Sequence, residues 1–311
     1  MSEEDTIDYS VPDLPADIPS RDAIVELCEA SGFCTNGVGI SVSENIKYWV
    51  KYGSEVQRGE ALTQAHVAEI VDATPESVVS VPAVYLAFLR GRLRYIVMEY
   101  IDGRPVADPK VSPEQYKEDV KAVAAAAKQL VAIRAPAGTQ PGPVGGGFIG
   151  HDFFDEWLST SEYPTVAHLQ AQINTLVAPQ GLSVDFLSET TDGLVLCPAD
   201  IDPSNFLFPT TPTGGKLYAI DFGHTGYMPP SYVAYSLTSA KPFTRRIARL
   251  VQYPPSMNFR AMEIAAGLCL IYGNNSSGIA EKVKVKRSAA RRQEGGSRTA
   301  KRDHKVAEAA P

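Results

Sequence analysis

The stretch from Leu196 to Gly226, LCPADIDPSNFLFPTTPTGGKLYAIDFGHTG, constrains this chain more than any other. Short apolar runs at 194–196, 206–208 and 217–220 flank three polar side chains, Asp200, Asn205 and Asp221. Runs of this length between turn residues read as strands, the last two joined as a hairpin. The fold must therefore bring three polar groups from strand ends toward one place. An Asp that accepts a hydroxyl proton, with an Asn and a second Asp on one metal ion, forms a set suited to phosphoryl transfer. Any one of these residues alone is more often a turn or cap. The three together, on strand-like supports, favour a site.

Composition leaves room for such a site. The chain has 311 residues with 44% hydrophobic content, enough to bury one large core or two modest ones. A net charge of −7 argues against a general nucleic-acid-binding surface, and no run of 18 apolar residues suggests a membrane span. The N-terminal MSEEDTIDYSVPDLPADIPS is acidic and proline-rich, unlike a signal or transit peptide. Cys28, Cys34, Cys197 and Cys269 are scattered without CxxC spacing, so reduced thiols in a cytoplasmic protein are expected. Cys197 reads as a small buried hydrophobe.

Along the chain, residues 1–20 read as a disordered leader. Helices are expected over 21–31 and from Arg58 to Val71, and strands over 37–42, 46–52, 81–89 and 94–100. Ile101-Asp102-Gly103-Arg104-Pro105 breaks the pattern as a hinge. Ser112, Pro113 and Gln115 then mark a helix start with a capping box, running to about Ile133 with Val120, Val123, Ala127, Leu130 and Val131 inward. Phe153 to Leu158, Thr165 to Ala178, Tyr232 to Leu237, Thr244 to Val251 and Met257 to Tyr272 read as further helical stretches. Residues 274–311 are polar and basic, with KVKVKR and AKRDHK runs, and read as a disordered tail. The alternative for that tail is a nuclear address or anion-binding patch.

The motif resembles the aminoglycoside phosphotransferase and choline-kinase branch of the protein-kinase-like fold, and within it the fungal members. The pattern there is HGDLxPxNxL, then IDWE or IDFG, then an aromatic and proline-rich stretch. The matches are Asp200, Ile201, Pro203, Asn205 and Leu207, then Ile220-Asp221-Phe222-Gly223, then Gly226-Tyr227-Met228-Pro229-Pro230. Pro198-Ala199 stand where that pattern has His-Gly. In the family this His is thought to brace the loop, so the departure touches rate more than class.

The resemblance implies a bilobal α+β kinase-like fold, with a β-rich N-lobe over 21–103 and a mainly helical C-lobe over 104–273. It implies ATP and Mg²⁺ as cofactors and a small-molecule hydroxyl as acceptor, with Asp200 as base and Asn205 and Asp221 holding the metal. Lys47 and Lys51 share one strand face, so periodicity does not choose between them. The family pattern VVKYG selects Lys51 for the phosphates, with Glu60 as its partner, Glu69 as runner-up and Glu44 as a solvated turn residue. Val97 to Gly103 resembles the family's adenine hinge, with backbone near Glu99, Tyr100 and Ile101 reading the base. Val38, Val50, Met98 and Leu207 or Ile220 would form its apolar slot.

Asn36-Gly37-Val38-Gly39 reads equally as a hairpin turn or a phosphate cover. His224 could face the substrate, though a structural hydrogen bond is the ordinary role at such a position. His66 reads as a partly buried spacer. His151 lacks a second His for zinc; the acidic patch beside it, Asp152, Asp155 and Glu156, could line a pocket for a cationic acceptor but reads first as a solvated helix start. No Ala-Pro-Glu follows Asp221, which disfavours a protein kinase. The competing class, motivated by Pro198-Ala199, is a catalytically silent nucleotide-binding protein or scaffold.

Overall fold

The computed structural model describes residues 5–32, 37–42, 45–106, 108, 110–210, 216–238 and 240–272. The expectations for Cys34, Asn36, Glu44 and the 274–311 tail lie outside them. In chain order the elements are β1 (Thr6–Ser10), α1 (Arg21–Ser31), β2 (Val38–Val42), β3 (Asn45–Gly53), α2 (Arg58–Asp72), β4 (Val79–Ser80), β5 (Val84–Arg90), β6 (Leu93–Glu99) and β7 (Gly103–Pro105). They continue with α3 (Pro113–Val131), α4 (Val166–Val177), α5 (Phe186–Glu189), β8 (Val195–Pro198), β9 (Phe206–Pro209), β10 (Leu217–Ala219), β11 (Thr225–Met228), α6 (Pro230–Ser236), α7 (Pro242–Val251) and α8 (Phe259–Tyr272). The result is a bilobal α+β fold, with a β-rich N-lobe and a helical C-lobe.

The N-lobe sheet runs β1-β5-β6-β3-β2. Alternation along β3 sends Tyr48, Val50 and Tyr52 into a core shared with Phe88, Tyr95 and Ile24 of α1. The other face carries Trp49 and Lys51 and is covered by α2, whose Ala61 and Ala65 pack with Val84, Ile96 and Met98. That alternation is why Lys51 meets the first turn of α2.

The expected disordered leader is in part an ordered edge strand. Thr6–Ser10 pairs antiparallel with β5. Three acidic side chains hold the segment: Asp5 takes a fork from Arg90 at 2.6 and 2.8 Å, Asp8 accepts from Arg94 at 2.7 Å, and Asp17 pairs with Lys47 and with the Tyr48 hydroxyl. These acids of the leader are counterions for two arginines and a lysine of the sheet.

The hinge segment also acquires structure. β7 pairs with β9, while β4 runs parallel to β10, so a second sheet of order β4-β10-β9-β7 joins the end of the N-lobe to the motif hairpin. Arg104 of β7 forks onto Asp119 of α3 at 2.7 and 2.9 Å. α3 starts as expected, with Ser112 Oγ accepting from the Gln115 amide. The Gln115 side chain donates to Asp119 at 2.9 Å, so the reciprocal arm of the capping box is not made. Val120, Val123, Ala127, Leu130 and Val131 are all buried. The C-lobe core is centred on Phe153, Phe154, Phe186 and Tyr232; truncating such a phenylalanine to alanine costs about 3–5 kcal/mol.

Phe153 to Leu158 is not a helix. Only Asp155–Trp157 makes a single 3-10 turn, and Glu156 and Trp157 adopt left-handed backbone at φ 56° and 61°. The acidic patch Asp152, Asp155 and Glu156 therefore starts no α-helix, and His151 beside it lies inside the fold. It is buried, with Nδ1 accepting from Phe153 N–H at 2.9 Å and Nε2 placed 3.2 Å from the Tyr232 carbonyl oxygen and 2.9 Å from Ser236 Oγ. Among the described residues no helix is long and apolar enough to cross a membrane.

Candidate active site

Five of the sequence-selected side chains converge on one cleft between the lobes. Lys51 Nζ lies 2.6 Å from Glu60 Oε1 and 2.9 Å from Asp221 Oδ1. Glu60 sits in the first turn of α2, where an acidic side chain also suits the helix dipole. Glu69, on the same helix, is exposed. Lys47 faces away toward Asp17, so the two lysines of one strand end on different partners.

The electrostatics follow from burial and pairing. Burial opposes the Lys51 ammonium, but Glu60 and Asp221 together hold its pKa above the ordinary value. Burial pushes the Glu60 carboxyl up, and Lys51 pulls part of that back. At Asp221 burial also works upward, yet Lys51 and the Gly223 N–H prevail and hold it below the usual carboxylate range. Asp221 itself has left-handed backbone, φ 61° and ψ 78°, a strain of roughly 1–3 kcal/mol for a non-glycine residue. Gly223 leaves room for this turn: a Cβ there would meet Glu60 Oε2 at 3.3 Å and Asp221 Oδ1 at 3.4 Å.

Asp200 and Asn205 face the same cleft from the loop between β8 and β9. Asn205 Nδ2 donates to the Asp200 carbonyl at 3.1 Å and to its Oδ2 at 3.2 Å. Asp202 caps the 3-10 turn Pro203–Asn205 by accepting from Ser204 N at 3.1 Å. Pro198 ends β8, which pairs with β11, and the bonding continues as Ala199 N–H donates to the His224 carbonyl at 2.9 Å. Thr244 Oγ1 of α7 donates to the Ile201 carbonyl at 2.9 Å. The loop is thus held by backbone pairing and a threonine.

The cleft cavity has a volume of about 590 Å³. Its polar end carries Lys51, Asp200, Asn205 and Asp221, and its apolar end Trp49, Met98, Leu207 and Ile220. Glu99, Tyr100 and Ile101 also line it. The Glu99 and Tyr100 amides are already engaged by the Ala83 and Lys47 carbonyls, at 2.8 and 3.1 Å. Burial raises the Glu99 carboxyl, against a hydrogen bond from the Ala83 N–H. Val50 is not in the slot: strand alternation points it into the N-lobe core, with Val38 packed against the same cluster. Gly37 lies where a Cβ would come within 2.6 Å of Trp49 Nε1, a close-packed hairpin end.

The remaining candidates take other places. His66 Nε2 lies 3.0 Å from the Tyr227 hydroxyl. His224 packs against Trp157, ring centres 5.1 Å apart, and burial lowers its pKa against the pull of Asp200 and Asp221. Cys28, Cys197 and Cys269 are buried free thiols. Two residues beside Asp200 carried no signal in the sequence. Lys241, at the start of α7, puts Nζ 2.7 Å from Asp200 Oδ1, and Trp157 lies beneath that ammonium at 5.0 Å.

Comparison with known proteins places this geometry in context. No curated protein matches the chain. Among solved structures, an aminoglycoside-3'-phosphotransferase of type VIII is similar at 19% identity, covering 79% of this chain and 97% of its own, with a TM-score of 0.40. An amicoumacin kinase in complex with AMP-PNP and Ca²⁺ shares 13% identity over 86% of this chain and 92% of its own, TM-score 0.41. A microcompartment-associated aminopropanol kinase shares 12% over 80% and 88%, TM-score 0.40. The profile of the family described as "Phosphotransferase enzyme family" matches residues 47–253, a span that holds Lys51, Glu60, Asp200, Asn205 and Asp221 and more than half of the sequence; the chain belongs to that family.

Proposed function

We propose that this protein phosphorylates a hydroxyl of a small molecule with Mg·ATP. The observation that carries the reading is the convergence of Lys51, Glu60 and Asp221 opposite Asp200 and Asn205 across one cleft. The donor set suits the group. Asp221 and Asn205 offer hard oxygen ligands, and Mg²⁺ commonly takes one or two protein ligands with water and phosphate completing its shell. Among the described residues no cluster of three His, Cys, Asp or Glu side chains makes a fuller metal site. The apolar lining of the cleft, Trp49, Met98, Leu207 and Ile220, suits a flat heterocycle.

Bound there, Mg·ATP supplies the phosphoryl group and a cation that offsets its charge. The protein's part is positioning and proton transfer. Lys51 donates to phosphate oxygens, and Glu60 keeps that flexible ammonium aimed. With the Glu99 and Tyr100 amides engaged, the Glu99 carbonyl and the Ile101 amide are the hinge groups that read the base edge. Asp200 accepts the acceptor's hydroxyl proton as the oxygen attacks. Asn205, donating to Asp200 Oδ2, orients that carboxylate through Nδ2, and with Asp221 it would hold the metal ion that offsets the phosphate charge.

The test is labelled phosphate transfer from ATP into a metabolite extract by wild type and by Asp200→Asn. Transfer by wild type alone supports the reading. A silent nucleotide-binding protein, the reading that Pro198-Ala199 favours, would gain thermal stability from Mg·ATP yet label nothing.

A further inference from the structure

Lys241 is the N-cap residue of α7. Its ammonium lies 2.7 Å from Asp200 Oδ1 and 3.6 Å from Asp202 Oδ2, and 5.0 Å over the Trp157 ring. Asn205 already donates to Asp200 Oδ2 at 3.2 Å, so the carboxylate is engaged at both oxygens.

Two observations distinguish this from a chance surface pair. The first turn of α7 is fixed to the same loop, because buried Thr244 donates to the Ile201 carbonyl. The Trp157 ring is turned beneath the ammonium by two consecutive residues in left-handed backbone, Glu156 and Trp157. A strained segment that cradles a cation beside a candidate base is the kind of arrangement found at working sites. Burial works against the ammonium, but Asp200 and Asp202 outweigh it and raise its pKa, so Lys241 carries its proton at neutral pH.

We propose that Lys241 is a further catalytic residue: its ammonium holds Asp200 in the resting site and donates to a non-bridging phosphoryl oxygen during transfer. The inference rests on the phosphotransferase reading. In that reaction the acceptor oxygen bonds to phosphorus, the bond from phosphorus to the β-phosphate oxygen breaks, and the hydroxyl proton moves to Asp200. Negative charge spreads over the three equatorial, non-bridging oxygens of the group in transit. Asp200 must lie within hydrogen-bond reach of the hydroxyl, so a cation bonded to Asp200 needs a swing of only about 3 Å to meet the phosphoryl. Lys51 acts from the N-lobe sheet, where Glu60 holds it, and Lys241 from the start of a C-lobe helix. Lys241 thus completes a cationic clamp around the group in transit.

The test uses the full chain with Lys241→Met and Lys241→Arg. Titration calorimetry measures Mg·ADP alone and Mg·ADP with aluminium fluoride, a planar mimic of the phosphoryl in flight. Mg·ADP affinity is expected to stay within about twofold in all forms. The affinity gained on adding aluminium fluoride should fall by tenfold or more in Lys241→Met and return in part in Lys241→Arg, with thermal midpoints unchanged. Turnover should fall by about 10²-fold in Lys241→Met, in the range seen for single donors to developing charge. An unchanged aluminium fluoride gain in Lys241→Met overturns the proposal. So does a joint loss of midpoint and Mg·ADP affinity, which marks a structural latch between α7 and the loop. A wild type that shows neither an aluminium fluoride gain nor turnover overturns the phosphotransferase reading itself.

Discussion

The Lys51 ammonium lies 2.9 Å from the Asp221 carboxylate although 170 positions of sequence separate them. One side chain ends a strand of the N-lobe sheet and the other opens the turn after the motif hairpin. The contact leaves Asp221 ionised and facing the cleft, with Asp200 offset from it on the next loop. The two aspartates should therefore respond differently to substitution. Asp221→Ala is expected to abolish Mg·ATP turnover and weaken Mg·ATP binding about tenfold or more. Asp200→Asn should keep nucleotide affinity and lose transfer. Equal loss of affinity in both would contradict this division of roles.

The lysines of β3 give a second contrast. Lys51→Ala leaves Glu60 buried without its cation, and removing one partner of such a pair costs about 3 kcal/mol. Chemical denaturation should show that loss, and adding Glu60→Gln should recover part of it. Lys47→Ala removes only a half-exposed contact to Asp17 and should change neither Mg·ATP affinity nor turnover by more than about twofold.

What could be read from the sequence is what periodicity and local caps control. The alternation of β3, the helical face of α3 and its Ser112 cap all have local causes, and they appear where those causes put them. That Asp200, Asn205 and Asp221 would face one cleft was readable because their spacing is local. Lys241 was not, since nothing near it in sequence says that α7 begins beside the loop that carries Asp200. The leader was misread for the same reason. Asp5 and Asp8 look like solvating charges until Arg90 of the adjacent strand β5 and Arg94 of β6, more than 80 positions along the chain, supply their partners.

Those partners make the leader's contribution depend on pH. The Arg90 hydrogen bonds hold the Asp5 carboxyl below its usual range, against a smaller effect of burial. A depressed carboxyl stabilises the folded state above its unfolded pKa, near 3.9, and loses that effect as pH falls through the folded value. Asp5→Asn should therefore be less stable than wild type at pH 7, with the gap closing toward pH 3. A gap that stays constant across that range would mean the pair contributes nothing through ionisation.

Gly226 of β11 crosses the loop at Gly142, whose N–H donates to the Tyr227 carbonyl at 2.9 Å. A Cβ on Gly226 would lie 2.6 Å from the Gly142 carbonyl carbon and oxygen, both backbone atoms. Gly226→Ala is expected to cost about 1–3 kcal/mol, as overpacking does. Thermal unfolding should show a drop of several degrees, and an unchanged midpoint would mean that the loop moves aside freely.

Pro198 has a consequence of its own. A loop braced by an imidazole inherits a group that titrates near neutrality. Here the support comes from the β8–β11 ladder, the Ala199 amide on the His224 carbonyl, and the Thr244 hydroxyl on Ile201. None of these exchanges a proton between pH 5 and 8. The backbone geometry that holds Asp200 at the cleft is thereby uncoupled from cellular acidity, since its supports keep the same protons from pH 5 to pH 8.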